Sequence, residues 1–191
     1  LKQRNRKVSY PLSNNICILL MDIFENRRNT NKKMQEKIIM EILVCIKQVP
    51  DDSVEISLDE ATGKPALDGV TPVVNAFDTY AEEMAVRLKE AVGESEVTVV
   101  SIGDDSVKNS LKNCLAVGAD HAYLVKYDEA EKLDGAAVAK LLAKAKTDIE
   151  AAEGKTFDLV FCGKESTDYA ASQTGLLLAA QLNVPVVANV V

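Results

Sequence analysis

The stretch from Phe161 to Gly175, FCGKESTDYAASQTG, sets a glycine, a lysine, acidic residues and a Ser-Gln-Thr-Gly step between an apolar strand-like run and an apolar helix-like run. The glycines, the lysine and the Ser-Gln-Thr-Gly step suit an anion. Ser172, Gln173, Thr174 and Gly175 read as the first turn of the next helix, where unpaired backbone N–H groups and the positive dipole end favour a phosphate. The dipole alone contributes about 0.3–2 kcal/mol. Gly175 lets backbone or ligand come close, and the two hydroxyls add donors. The same residues read equally well as an N-cap followed by a packing glycine, so spacing leaves both readings open.

Other chemistries fail on the sequence. Gly163-Lys164 lacks the preceding glycine of a Walker loop, and Glu165 stands where Ser or Thr would ligate magnesium. No GxGxxG follows the first strand-like run. Cys17, Cys45, Cys114 and Cys162 occur singly, without a CxxC, and His121 is the one histidine. Zinc and iron–sulfur ligation need clustered ligands, so no metal site is assigned. No nucleophile–base set or paired-carboxylate site is visible, so no catalytic residue is assigned either. His121, at a strand start, reads as structural; Tyr123 and Phe161 read as core, and the charges of residues 140–150 as a solvated helix face.

The elements around this loop follow a repeating pattern. ILVCIK (42–47) is a near-continuous apolar run, the habit of a strand covered on both faces. VEISLD and EATGKPALDG read as an exposed hairpin inserted on the scaffold. Asn75 opens the helix AFDTYAEEMAVRLKEAV, which Gly93 stops; VTVVSIG (97–103) is a strand, and DDSVKNSLKNCLAVGA a helix with Asp104 or Asp105 as N-cap. HAYLVKY, FDLVFCG (157–163) and PVVANVV supply further strands, separated by the helices DGAAVAKLLAKAKTDIEAAEG and QTGLLLAAQLN.

Strands alternating with helices imply an α/β fold: a doubly wound, mostly parallel Rossmann-like sheet of the adenine-nucleotide-binding type. In such sheets the chain reverses to place the fourth strand beside the first, opening a ligand crevice at their carboxyl ends. That rule selects two loops: Lys47 to Asp51 after the first strand, and Gly163 to Gly175.

Residues 1–39 differ in kind. They carry nine Lys/Arg against three Asp/Glu, whereas residues 40–191 carry thirteen against twenty-six. We expect an N-terminal extension outside the fold at 1–39 and a nucleotide-binding domain from Met40 to Val191. ICILLMDIF is interrupted by Asp22 and lacks a small-residue cleavage site, which argues against a signal peptide or membrane insertion. An acidic main body would repel a phosphate backbone, so nucleic acid is not an expected partner. Singly placed cysteines fit a reduced, cytoplasmic setting.

In order and spacing, ILVCIKQVPD, NAFDTYAEEMAVRLKE, VTVVSIG, CLAVGADHAYLV and GKESTDYAASQTGLLLAAQLNVP resemble the β subunit of electron transfer flavoproteins, from Met40 to Val191. The resemblance implies an electron-carrier subunit rather than a classical enzyme. It implies an α-subunit partner, and a flavin adenine dinucleotide (FAD) held chiefly by α. Electrons would come from acyl-CoA dehydrogenase-type donors and pass to a membrane quinone reductase or another acceptor. The β subunit would bind its own nucleotide: AMP, or a second FAD in electron-bifurcating members. Matched onto this chain, the implied contacts are Cys45; Asn75, Ala76, Phe77 and Asp78; Ile102; and the run Gly163, Lys164, Glu165, Ser166, Thr167, Asp168, Tyr169, Ala170, Ala171, Ser172, Gln173, Thr174.

The loop departs from the family's usual wording. Glu165 replaces a glutamine, Ser166 and Thr167 an apolar pair, and Ala170 an acidic residue, while Asp168, Gln173 and Gly175 keep their places. Glu165 would repel a phosphate, so its side chain is expected to turn away or meet the ribose. The family extends past the equivalent of Val191, so the domain is expected to be C-terminally incomplete. Two rival readings exist: a stand-alone ATP- or adenine-nucleotide-binding protein of the universal-stress type, and a nucleotide-activating ligase domain. The first expects a Gly-rich phosphate loop where only Gly163 and Gly175 frame the stretch. The second expects Ser-Gly-Gly where KQVPDDS stands.

Overall fold

The computed structural model describes residues 16–20 and 39–190. In chain order these form β1 (Ile16–Leu20), β2 (Met40–Cys45), β3 (Gln48–Pro50), β4 (Pro72–Val74), α1 (Ala76–Val92), β5 (Ser95–Gly103), α2 (Val107–Val117), β6 (His121–Lys126), α3 (Gly135–Glu153), β7 (Leu159–Gly163), α4 (Thr174–Leu182) and β8 (Val186–Val190). The main sheet has six strands in the order β6-β5-β2-β7-β1-β8. β6, β5, β2 and β7 are mutually parallel. The predicted α/β, mostly parallel Rossmann-like sheet is therefore what the chain forms.

The near-continuous apolar strands have a simple origin: successive side chains point to opposite faces, and helices cover both. Ile42, Val44 and Ile46 join Leu159 and Phe161 under α1 and α2, packed by Ala81, Ala85, Leu111 and Cys114. Leu43 and Cys45 join Val160 and Cys162 under α3 and α4, packed by Leu142, Ile149, Leu178 and Ala179. Each such large side chain contributes about 1.5–3 kcal/mol when fully buried.

β2 and β7 are neighbours, in register from Ile42 opposite Leu159 to Cys45 opposite Cys162. β5 and β6 extend the sheet the other way, so the chain reverses between β2 and β7 as predicted. The predicted insertion is an exposed turn closed by a bridge between Leu58 and Pro65. Its base is the two-stranded pair β3–β4.

Three differences from the sequence reading have physical causes. The sequence places residues 1–39 outside the fold, yet Ile16–Leu20 is a strand, antiparallel to β7 on one side and to β8 on the other. Ile16, Cys17 and Leu19 are buried in it, Leu19 fully inaccessible; the basic surroundings obscure the strand in the sequence. Residues 1–15 and 21–38 of that extension lie outside the described residues. Secondly, residues 140–150 are not uniformly solvated. Lys146 is buried and paired with Glu150 at 2.6 Å, and Glu150 also accepts the Phe157 N–H at 2.8 Å. Thirdly, α2 begins after Ser106, while Asp104 accepts the Ser106 N–H and hydroxyl in the preceding turn. Among the described residues no helix is long and apolar enough to cross a membrane.

Candidate functional site

The crevice at the reversal is built from three segments: the Lys47 turn after β2, the start of α1, and the loop from Gly163 to Gln173 after β7. Asn75 and Asp78 hold them together. Asn75 precedes α1 but makes no cap bond to it. Its buried side chain instead reaches across the crevice, where Nδ2 donates to the Glu165 carbonyl at 2.8 Å and Oδ1 accepts the Thr167 N–H at 3.2 Å. A short amide in this place satisfies one donor and one acceptor of a loop that has no strand partner.

Asp78, in the first turn of α1, ties the ends of both central strands. Its carboxyl accepts the Lys47 N–H at 2.7 Å and the Gly163 N–H at 3.1 Å. Burial raises its pKa to about 7, opposed by the backbone bond from Lys47, the Asn75 side chain, the bond from Gly163 and the Lys47 charge. Gly163 has to be a glycine because a Cβ there would lie 2.2 Å from Asp78 Oδ1 and 2.8 Å from the Phe77 carbonyl carbon. The helix start and strand end approach too closely for any side chain.

Two carboxylates of the loop have partners within the site. Ser172 Oγ donates to Glu165 Oε2 at 2.6 Å. The Glu165 side chain, expected to turn away from a phosphate or to meet the ribose, is held by the Ser172 hydroxyl. Asp168 Oδ2 meets Lys47 Nζ at 2.5 Å, and the same ammonium lies 3.5 Å from Ser166 Oγ and 4.7 Å from the centroid of the Tyr169 ring. Lys47 thus spans the crevice from the β2 side to the β7 side.

Of the residues matched by resemblance, Asn75, Asp78, Gly163, Glu165, Ser166, Thr167, Asp168 and Ser172 are joined by these bonds. Phe77 contributes backbone against Gly163. Cys45 lies buried at the carboxyl end of β2, level with Cys162, which is level with Cys17 on β1. Its contact with Cys45 and burial push the Cys162 thiol well up, so this row is packing rather than a nucleophile. Lys164 is half-buried, and Tyr169, Ala170 and Ala171 are exposed on the loop's outer turn, Ala170 with φ 48°. Thr174 opens α4, which has no side-chain cap. Ala76 is exposed, and Ile102 packs against the α3–α4 side. Gln173 has its Oε1 near Gly135, at the start of α3.

Gly175 resolves half of the ambiguity left by spacing. A Cβ there would meet Cys17 Cβ at 3.0 Å, so it is a packing glycine. Ser172 is not the N-cap of α4; Gln173 is, and Ser172 takes φ 52° with its hydroxyl on Glu165. Lys47 lies in a loop that the reversal rule selects but is not among the contacts the resemblance implies; its place opposite Asp168 brings it into the site. Among the described residues no cluster could hold a metal ion.

A sequence model of the Electron transfer flavoprotein domain family matches residues 66–191. Electron transfer flavoprotein subunit beta of Thermoanaerobacterium thermosaccharolyticum is 40% identical over 151 residues, which cover 79% of this chain and 55% of the relative. The subunit of the same name in Megasphaera elsdenii is 38% identical over 147 residues, 76% of this chain and 54% of the relative. Caffeyl-CoA reductase-Etf complex subunit CarD of Acetobacterium woodii is 36% identical over 151 residues, 79% of this chain and 55% of the relative. The chain thus spans about half the length of the curated relatives it matches. With its site loop inside the matched region and its similarity running to β subunits, the chain belongs to the electron transfer flavoprotein family.

Proposed function

We propose that this chain acts as the β-type subunit of a heterodimeric, cytoplasmic electron carrier and holds an adenine nucleotide, AMP or a second FAD, in the β2–β7 crevice. The observation that carries the reading is the loop from Gly163 to Gln173, clamped by Asn75 at the sheet reversal and leading into an α4 N-terminus that no side chain caps. Uncapped N–H groups there leave donors for a phosphate.

The chain's own residues position and screen. Asp78 fixes the two strand ends that floor the crevice, Asn75 fixes the loop above them, and Lys47 brings the cation at its mouth. A bound flavin would supply reversible uptake and release of electrons. An α-type partner would hold the main FAD, with acyl-CoA dehydrogenase-type proteins as donors. The relative named for a caffeyl-CoA reductase-Etf complex supports a role inside such an assembly.

The test is to coexpress the chain with its α-type partner, denature the purified complex and identify the released nucleotides. AMP with one flavin per heterodimer means a simple carrier, and two flavins mean a bifurcating one. ATP without flavin refutes the reading.

A further inference from the structure

Two of the three units that step outward along the main sheet close on themselves. β2 pairs with β5 and β5 with β6, each pair parallel and joined through a helix. The unit β7–α4–β8 is the exception, because β1 lies between its strands and runs antiparallel to both. The seat beside β7 is the better covered one. There Ile16, Cys17 and Leu19 are buried, Ile16 toward α1 and the other two toward α3 and α4. β8, one place farther out, is exposed at Val187, Ala188 and Asn189, although its apolar run reads as a covered strand. Its fit to β1 is also irregular. Ile18 faces Val187 and Ile16 faces Val190, so Ala188 and Asn189 share the place opposite Cys17, and Asn189 takes φ 57°.

We propose that β1 is a strap that can leave: the chain has a second arrangement in which β8 moves one place inward and pairs directly with β7, in parallel. The move needs no reversal of the chain. β7 and β8 already point the same way, and a shift of one strand spacing, about 4.8 Å, brings them together. α4 stands on the side that this closure needs. The crossover from β6 to β7 runs in the same direction along the sheet and carries α3 on that same face, the face a right-handed connection requires. β1 holds the seat because Ile16, Ile18 and Leu19 are larger than the Val and Ala residues of β8, so covering them removes more apolar surface from water. Both occupants are short and apolar, which puts the second arrangement within reach of a single change in β1. The strap thus decides which of two segments the sheet covers: with β1 seated, β8 stays exposed; with β8 seated, ICILL is released.

The test uses the full 191-residue chain with Cys45→Ala, which leaves Cys17 on β1 and Cys162 on β7 as the thiols of the sheet. One further cysteine replaces each residue from Val186 to Val190 in turn. With β1 seated, those positions lie two strand spacings from β7, about 9.6 Å and beyond the ~7 Å limit for a disulfide. Oxidation with diamide, followed by peptide mapping without reduction, reads the occupant: a Cys17–Cys162 bond reports β1, and a bond from Cys162 to the introduced cysteine reports β8. With Leu19 intact the Cys17–Cys162 bond should dominate. Leu19→Asp puts a charge where the side chain is fully buried and should unseat β1. That variant should stay folded by circular dichroism and cooperative urea unfolding, and the larger share of Cys162 should pass to at least one β8 cysteine. A Leu19→Asp chain that stays folded without a bond between Cys162 and any β8 cysteine overturns the inference. So does one that loses cooperative unfolding, since the vacated seat then has no second occupant. Either result leaves the nucleotide reading standing, because that reading rests on other residues.

Discussion

Asp78 sets burial against hydrogen bonding in a single group, and the two have opposite signatures with pH. Asp78→Asn keeps the shape, carries no proton and turns one acceptor into a donor facing either the Lys47 or the Gly163 N–H. That mismatch costs about 1–3 kcal/mol at any pH. The wild-type carboxyl behaves differently, because burial raises its pKa from 3.8 to about 7. The folded state then keeps a proton that the unfolded state releases. Its contribution is complete below the unfolded pKa and is lost as pH rises through the folded one. The loss is about 1.4 kcal/mol per pH unit between roughly pH 4 and 7, or ~4 kcal/mol in all.

Urea unfolding of both proteins at several pH values between about 4.5 and 8 isolates the effect, since the other carboxylates cancel in the difference. The variant should be the less stable protein at the acid end and the more stable by about 1–3 kcal/mol above pH 7, with the curves crossing between. A difference that stays flat, or a wild type that gains on the variant as pH rises, would show that the two N–H donors outweigh burial. Asp78 would then be a permanent carboxylate clamp.

Three further outcomes follow from named contacts. Leu19→Ala should cost about 2–5 kcal/mol in urea unfolding, because Leu19 is fully buried; no effect would place β1 outside the fold. Gly163→Ala should cost about 1–3 kcal/mol or more through overlap with the Asp78 carboxyl and Phe77 backbone, measured the same way, and a neutral result would mean α1 and β7 are farther apart than described. Asn75→Ala should cost about 1–3 kcal/mol and speed amide hydrogen exchange at Thr167, whose N–H loses its acceptor; unchanged exchange there would remove Asn75 from its role as clamp.

The scaffold was legible because its signals are local and repeated. Apolar runs such as ILVCIK and LVFCG can be buried only if both faces are covered, and right-handed connections then fix where the chain reverses. The site was legible as a location, through that reversal, but not as a network. Asn75 looks like a helix cap in sequence, and its actual bonds to Glu165 and Thr167 span a separation that no local pattern encodes. The same is true of Lys47 with Asp168. The bond between Ser172 and Glu165 links two loop residues seven apart, and no helix or strand period brings them together. β1 is hidden because a short apolar run in a basic, polar segment carries no sign of which strand it will join.

That strand also imposes an order of assembly. β7 and β8 run in the same direction and are linked through α4, yet they do not touch; β8 pairs with β1, and β1 with β7. With β1 in place the last strand-helix-strand unit therefore cannot close on its own. During synthesis ICILL leaves the ribosome before any other described strand, but its berth exists only once β7 has been made. An apolar segment must wait uncovered through nearly the whole translation of the domain, a target for chaperones or for the open edge of a neighbouring nascent chain.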